Sequence, residues 1–232
     1  DFGHTTGERF IDLLRALDKV EGIERYRISS IEPNLITDEI IEFCASSPRF
    51  MPHFHIPLQS GSTHILGLMR RRYTADKYRE RIAKIRALMP DSFLGVDVIV
   101  GFPGEGEAEF METYRLLEEV EASFLHIFPF SERPGTPAVT MPNKVQSSIS
   151  TERVSRLEEL SNRLHNSFAN RYLNTTRKVL FESTVKDGIM FGYTDNYLRV
   201  KDQYYASQIK HICNVHLREI DSDGDIIGES IG

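Results

Sequence analysis

Four short polar strings stand out as places where this chain could do chemistry: "SSIE" at 29–32, "QSGS" at 59–62, "GFPGEGE" at 101–107 and "SERPGT" at 131–136. They bring hydroxyls, an amide, carboxylates and flexible glycines to segments that directly follow apolar runs. Such groups suit the holding of a polar ligand by side chain and backbone rather than a nucleophilic triad. "GFPGEGE" lacks the Gly-Lys-Ser/Thr of a nucleotide-triphosphate loop and the spacing of a dinucleotide fingerprint. It reads equally as a ligand-approaching loop or a tight strand-to-helix turn. His53 and His55 share a strand face and could hold zinc with His126. No carboxylate at ligand spacing accompanies them, so packed or surface histidines are expected. "MRRRYT" at 69–74 offers three guanidinium groups, either as an anion site or as a solvated helix start. Tyr197 and Arg199 in "NYLRV" would share one strand face, fit for stacking bases or for cross-strand packing. Cys44 and Cys213 are isolated among apolar neighbours and read as unreactive thiols.

The elements that must position these groups are legible from periodicity. Phe10, Leu13, Leu14, Leu17 and Val20 predict a helix over 7–20, and Tyr26 and Ile28 a strand. Thr37 can cap a short helix with Ile40, Ile41 and Phe43. A strand is expected at 53–58, then a helix through Tyr78, Ile82, Ile85 and Met89. "FLGVDVIVGF" at 93–102 reads as a strand buried on both sides. A helix through Phe110, Tyr114, Leu117 and Val120 and a strand in "SFLHIFPFS" complete the alternation. Strands joined by helices are parallel with right-handed crossovers. All four polar strings therefore fall at strand C-terminal ends, where a βα barrel carries its site. Only four βα units are visible, too few for a closed eight-stranded barrel of roughly 200–250 residues. The fold class expected is α/β, a partial (βα) barrel followed by a small all-β barrel. The division expected is 1–141 for the first, 142–171 for a linker and long helix, and 172–232 for short strands separated by "KDG" and "TDN" turns.

The chain of 232 residues carries a formal net charge of -6, a mild argument against nucleic-acid binding. The charge is uneven. Met69 to Arg86 is strongly basic and Glu105 to Glu121 strongly acidic, which reads either as two solvated helix faces or as a basic surface that meets phosphate. No apolar run reaches the ~20 residues of a membrane helix. Two lone cysteines suggest a reduced, cytoplasmic setting.

In this order, "YRISSIEPN", "HFHIPLQSGS", "LMRRRYT", "GVDVIVGFPGE", "HIFPFSERPGT" and "GYTDNYLRV" resemble the radical S-adenosylmethionine methylthiotransferases, from Gly3 to about Val200. The tail is similar to their TRAM domain, an RNA-binding β-barrel. "HIPLQSGS", "MRRRYT" and "HIFPFSERPGTPA" look most like the MtaB-like branch, which modifies threonylcarbamoyladenosine beside the tRNA anticodon. The other branches modify isopentenyladenosine in tRNA or an aspartate of a ribosomal protein.

The resemblance implies S-adenosylmethionine, two 4Fe-4S clusters in the complete protein, an electron donor, and a tRNA anticodon stem-loop as partner. By analogy Ser30 and Glu32 end one barrel strand and Gln59 and Ser60 the next, in contact with S-adenosylmethionine. Asp97, Gly101 and Pro103 would lie near its adenine, with Arg72 on a carboxylate or phosphate. Tyr197 and Arg199 would meet RNA. The family holds its radical cluster with Cys-x3-Cys-x2-Cys and the second cluster with three more cysteines. This chain has neither set, so it is expected to begin after both and to be inactive alone. The first strand, at 25–30, is then expected to expose an edge that invites self-association. Two other readings are a stand-alone tRNA-binding module and a metal hydrolase using His53, His55 and His126.

Overall fold

The computed structural model describes residues 2–3 and 5–231. Asp1 and His4, in the string "DFGHTTGE", lie outside the described residues, as does Gly232. The first part runs α1 (Phe10–Leu17), β1 (Tyr26–Ile28), α2 (Asp38–Ser46), β2 (Phe50–His55), α3 (Thr63–Leu68), α4 (Ala75–Leu88), β3 (Phe93–Val100), α5 (Glu107–Glu119) and β4 (Phe124–Pro129). The long helix α6 (Ser147–Asn170) leads into β5 (Thr176–Lys186), β6 (Ile189–Thr194), β7 (Arg199–Gln203), β8 (Ile212–Ile220) and β9 (Ile226–Ser230).

Strands β1 to β4 pair in chain order, all parallel, as helical crossovers require. Alternate residues face opposite sides. Phe54, Ile56, Leu94, Val96, Val98 and Leu125 bury one face beneath Ile41, Tyr78, Ile85, Phe110 and Leu117 of the helices, with Leu157 and Leu160 of α6. Thr37 caps α2 by accepting the Ile40 N–H, and Thr74 caps α4 by accepting that of Lys77.

The opposite, concave face carries His53, His55, Phe93, Gly95, Asp97, Phe124 and His126. The expectation that β3 is buried on both sides holds from Phe93 to Val96 and fails further on, where Asp97 and Ile99 are partly exposed. β2 is also earlier than expected. Ile56 and Leu58 still donate to Gly95 O (3.0 Å) and Asp97 O (3.1 Å), but Pro57 has no N–H and the regular strand stops at His55.

The tail closes into a five-stranded barrel, β5-β6-β7-β9-β8, around Val179, Phe181, Met190, Val200, Val215, Leu217 and Ile226. Its core continues through Phe168, Ala169 and Tyr172 of α6 and its foot to Phe93 of the parallel sheet. Guanidinium groups bolt the two parts together. Arg25 donates to Tyr193 O and Lys178 O, and Arg27 to Thr194 O at 2.8 Å. Arg177 of the small barrel grips both Asp195 (2.9 Å) and Asp91 (3.3 Å), the latter just before β3.

Candidate functional site

The strand ends form a rim, but the sequence-predicted residues divide among separate hollows. Ser30 is exposed and Glu32 half-buried. Both line a groove of about 630 Å³ with Phe10, Ile11, Leu35 and Thr37. The guanidinium that reaches Glu32 is that of Arg71, at 3.3 Å. Arg72, the residue expected to hold an anion, points to solvent and has no ion pair among the described residues. Adjacent arginines in a turn point apart, and the spacing "RRR" gives no sign of which one turns inward.

Gln59 is 9% exposed and sits at φ 65°, in the left-handed region. Its N–H donates to Asp97 O (2.8 Å) and its carbonyl accepts the Ile99 N–H (2.9 Å), so the turn is pinned to β3 on both sides. A non-glycine residue there stores roughly 1–3 kcal/mol, a cost typical of ligand-holding turns. Ser60 is fully buried, and its hydroxyl lies 3.3 Å from that of Thr113 on α5. Gly61 N–H also donates to Thr113 Oγ1 at 2.8 Å. The Ser60 hydroxyl is thus a joint between loop and helix, not a group on the rim. Gly61 has no alternative here, because a Cβ would stand 2.5 Å from Thr113 Cα.

Gly101 and Pro103 line a different hollow, of about 450 Å³, beside Val145 and Ser150. Gly101 N–H donates to Glu105 Oε1 (3.1 Å), and the same oxygen accepts from Arg153 of α6 at 2.8 Å. Both charged residues are buried. A Cβ on Gly101 would meet Ser150 Oγ at 2.1 Å. The close approach that the glycines permit is therefore to α6.

The basic and acidic segments resolve into lateral ion pairs. Arg79 of α4 meets Glu119 of α5 at 2.6 Å, and Lys84 meets Glu42 of α2 at 2.7 Å. Arg81 bridges to Asp38. Of this basic stretch, Arg70 and Arg72 remain exposed without an ion pair among the described residues.

The concave face gathers what the sequence kept apart. His55 Nε2 and Asp97 Oδ1 are 2.6 Å apart, and the His126 ring stacks on His55 at 5.0 Å. Burial, with His55 alongside, holds the His126 imidazole below its ordinary pKa. His53 stands outside this group. It packs against Tyr197 (4.2 Å) and Phe93 (5.7 Å), and burial, with Arg27 and His55 nearby, pushes it down to about 3. A cleft of about 730 Å³ lies before these rings, walled by Phe124, His165, Tyr193, Tyr197 and Arg199.

Tyr197 is not on a strand. It occupies a turn at φ 68°, stacked on Tyr193 at 4.7 Å with Arg27 over its ring. Arg199 opens β7 but pairs with Asp225 at 2.7 Å and lies over Phe191. The expected shared strand face of Tyr197 and Arg199 is absent, because a turn residue does not continue the period of two.

Comparison with known proteins identifies the scaffold. Residues 3–117 match the radical SAM superfamily. The threonylcarbamoyladenosine tRNA methylthiotransferase MtaB of Bacillus subtilis is 45% identical over 196 residues, which is 82% of this chain and 44% of that protein. MtaB of Thermotoga maritima is 37% identical, over 97% of this chain and 51% of that protein. The chain belongs to the radical SAM methylthiotransferases, on their MtaB-like branch. A tRNA-2-methylthio-N(6)-dimethylallyladenosine synthase of Thermobifida fusca is 46% identical over 70% of this chain and 33% of that protein. The chain spans about half the length, or less, of the curated relatives it matches.

Radical SAM methylthiotransferases are transferases that use S-adenosylmethionine and iron–sulfur chemistry. The residues described do not fit a cluster. Cys44 is buried in α2 under the helix layer, with its thiol pushed up to about 12 by burial, and Cys213 lies in the small barrel. Neither reaches the rim. Glu32 and the strained Gln59 turn follow the adjacent strands β1 and β2, and Arg71, beyond α3, reaches back to Glu32. Among the described residues, no helix is long and apolar enough to cross a membrane.

Proposed function

We propose that this chain is the substrate-side part of a tRNA methylthiotransferase that converts N6-threonylcarbamoyladenosine next to the anticodon to its 2-methylthio derivative. The observation that carries this is the 45% identity to the Bacillus subtilis MtaB over 196 residues. In this reading 1–141 is the lateral part of a radical SAM barrel, 142–171 connects, and 172–232 is a TRAM domain. The complete protein would be cytoplasmic, carry two 4Fe-4S clusters and draw on an electron donor. No step through a cluster is assigned to the residues described.

Their work is binding and positioning. The Gln59 turn, Glu32 and Arg71 would hold the polar end of S-adenosylmethionine, while Gly101 and Pro103, in a separate hollow against α6, would not touch it. Arg71 replaces Arg72 as the anion contact, and Arg72 is left free for tRNA phosphate. The aromatic cleft of Phe124, Tyr193 and Tyr197 would accept the anticodon stem-loop, since flat rings suit unstacked bases. The isolated chain would self-associate along β1, the edge of the parallel sheet; a clean monomer in sedimentation at high concentration would remove that part.

The identity to the Thermobifida fusca enzyme favours a second reading, action on isopentenyladenosine. Nucleoside mass spectrometry of tRNA from a deletion strain separates the two. Loss of 2-methylthio-threonylcarbamoyladenosine, restored by the gene, supports the proposal. Loss of the isopentenyl nucleoside selects the second, and no change in either leaves a tRNA-binding module.

A further inference from the structure

Two imidazoles and one carboxylate converge on the concave face, and neither the family match nor the relatives give them a metal. We propose that His55, Asp97 and His126 form a divalent metal site of the two-histidine, one-carboxylate type. The donor atoms of all three lie within 4.8 Å of one another. They sit on three adjacent strands whose register fixes them: Asp97 is the cross-strand partner of His126, and His55 that of Gly95. Gly95 has no side chain to separate the His55 ring from its neighbours. A site built on a parallel ladder is rigid in a way that loop sites are not.

The donors suit a first-row cation. Neutral imidazole and carboxylate bind zinc at about 2.0–2.2 Å, and this trio with open positions also suits iron(II). The 2.6 Å bond between His55 Nε2 and Asp97 Oδ1 already holds two of the three donors side by side. Two ligands at such distances stand ~3 Å apart, so small side-chain rotations admit the metal. His55 and Asp97 keep about a fifth of their side-chain surface exposed, and His126 is exposed. The remaining coordination positions therefore open into the cleft, as in a reactive rather than a structural site. His53, the third histidine that the spacing suggested, is excluded by its packing against Tyr197.

The test uses the tag-free 232-residue chain with cobalt(II) and zinc(II). Titration with cobalt is expected to give one equivalent bound with a visible d–d band, and zinc to displace it. Asp97→Asn and His126→Ala should each weaken zinc binding by at least about tenfold, as loss of a ligand requires. His126 is exposed, so its removal leaves the fold intact. His165→Ala, which alters a histidine of the same cleft outside the trio, should bind as the parent does. Zinc should raise the melting temperature of the parent and not that of Asp97→Asn. Absence of stoichiometric uptake, or uptake undiminished in both ligand variants, overturns the site.

Discussion

Replacement of Arg153 by methionine should be among the costliest single changes in the α/β part. The Arg153 and Glu105 side chains are 5% and 2% exposed, and one Arg153 nitrogen donates to both the Glu105 carbonyl (3.1 Å) and its carboxylate (2.8 Å). Methionine preserves most of the volume but leaves a buried carboxylate with only the Gly101 N–H. Removal of one partner from a buried pair costs roughly 3–5 kcal/mol. For a chain of this size that is about 6–20 °C of melting temperature, at ~2–4 °C per kcal/mol. Burial already pushes the Glu105 carboxyl upward, against the pull of Gly101 N–H and Arg153. Without Arg153 it rises further. The folded variant then binds a proton more readily than the unfolded chain, so its deficit should shrink as pH falls. The double variant with Glu105→Gln removes the stranded charge and should recover at least ~2 kcal/mol. Urea denaturation at two pH values measures all three quantities. An Arg153→Met variant within ~1 kcal/mol of the parent, far below the range for a broken buried pair, would refute the reasoning.

Gly61→Ala should destabilise by at least ~1–3 kcal/mol, since its Cβ would press on the α5 backbone; thermal melting checks this, and a neutral result would mean that the loop moves freely from Thr113. Burial alone would raise the Asp195 carboxyl, but the two hydrogen bonds from Arg177 hold it below its usual value. The stability this adds is present at neutral pH and lost as pH falls below the ordinary carboxylate range through the folded value. Arg177→Gln should flatten that acid limb in pH-dependent unfolding. Cys44 is 3% exposed with its thiol pushed up to about 12, so an aromatic disulfide reagent at neutral pH should leave it unmodified until the chain is unfolded.

Local periodicity was enough to read the alternation of strand and helix, the small all-β tail and the fall of polar strings at strand ends. Each of those depends on residues within a few positions of one another. α3, only six residues long, escaped because a single turn and a half shows no clear period. The ordered motifs also pointed to the family. What they could not supply is which group turns which way. Arg71 rather than Arg72 reaches Glu32, Ser60 faces Thr113 instead of the rim, and Tyr197 leaves its strand for a turn. The basic segment pairs with Asp38 and Glu42 of α2 and Glu119 of α5, and the acidic segment with Arg153, Arg156 and Arg163 of α6. Asp97 joins His55 and His126 although 42 and 29 positions separate it from them. The tertiary structure decides all of these, because strand register and lateral packing are set by contacts between segments distant in the chain, and a one-residue slip would turn every side chain of a strand to the other face.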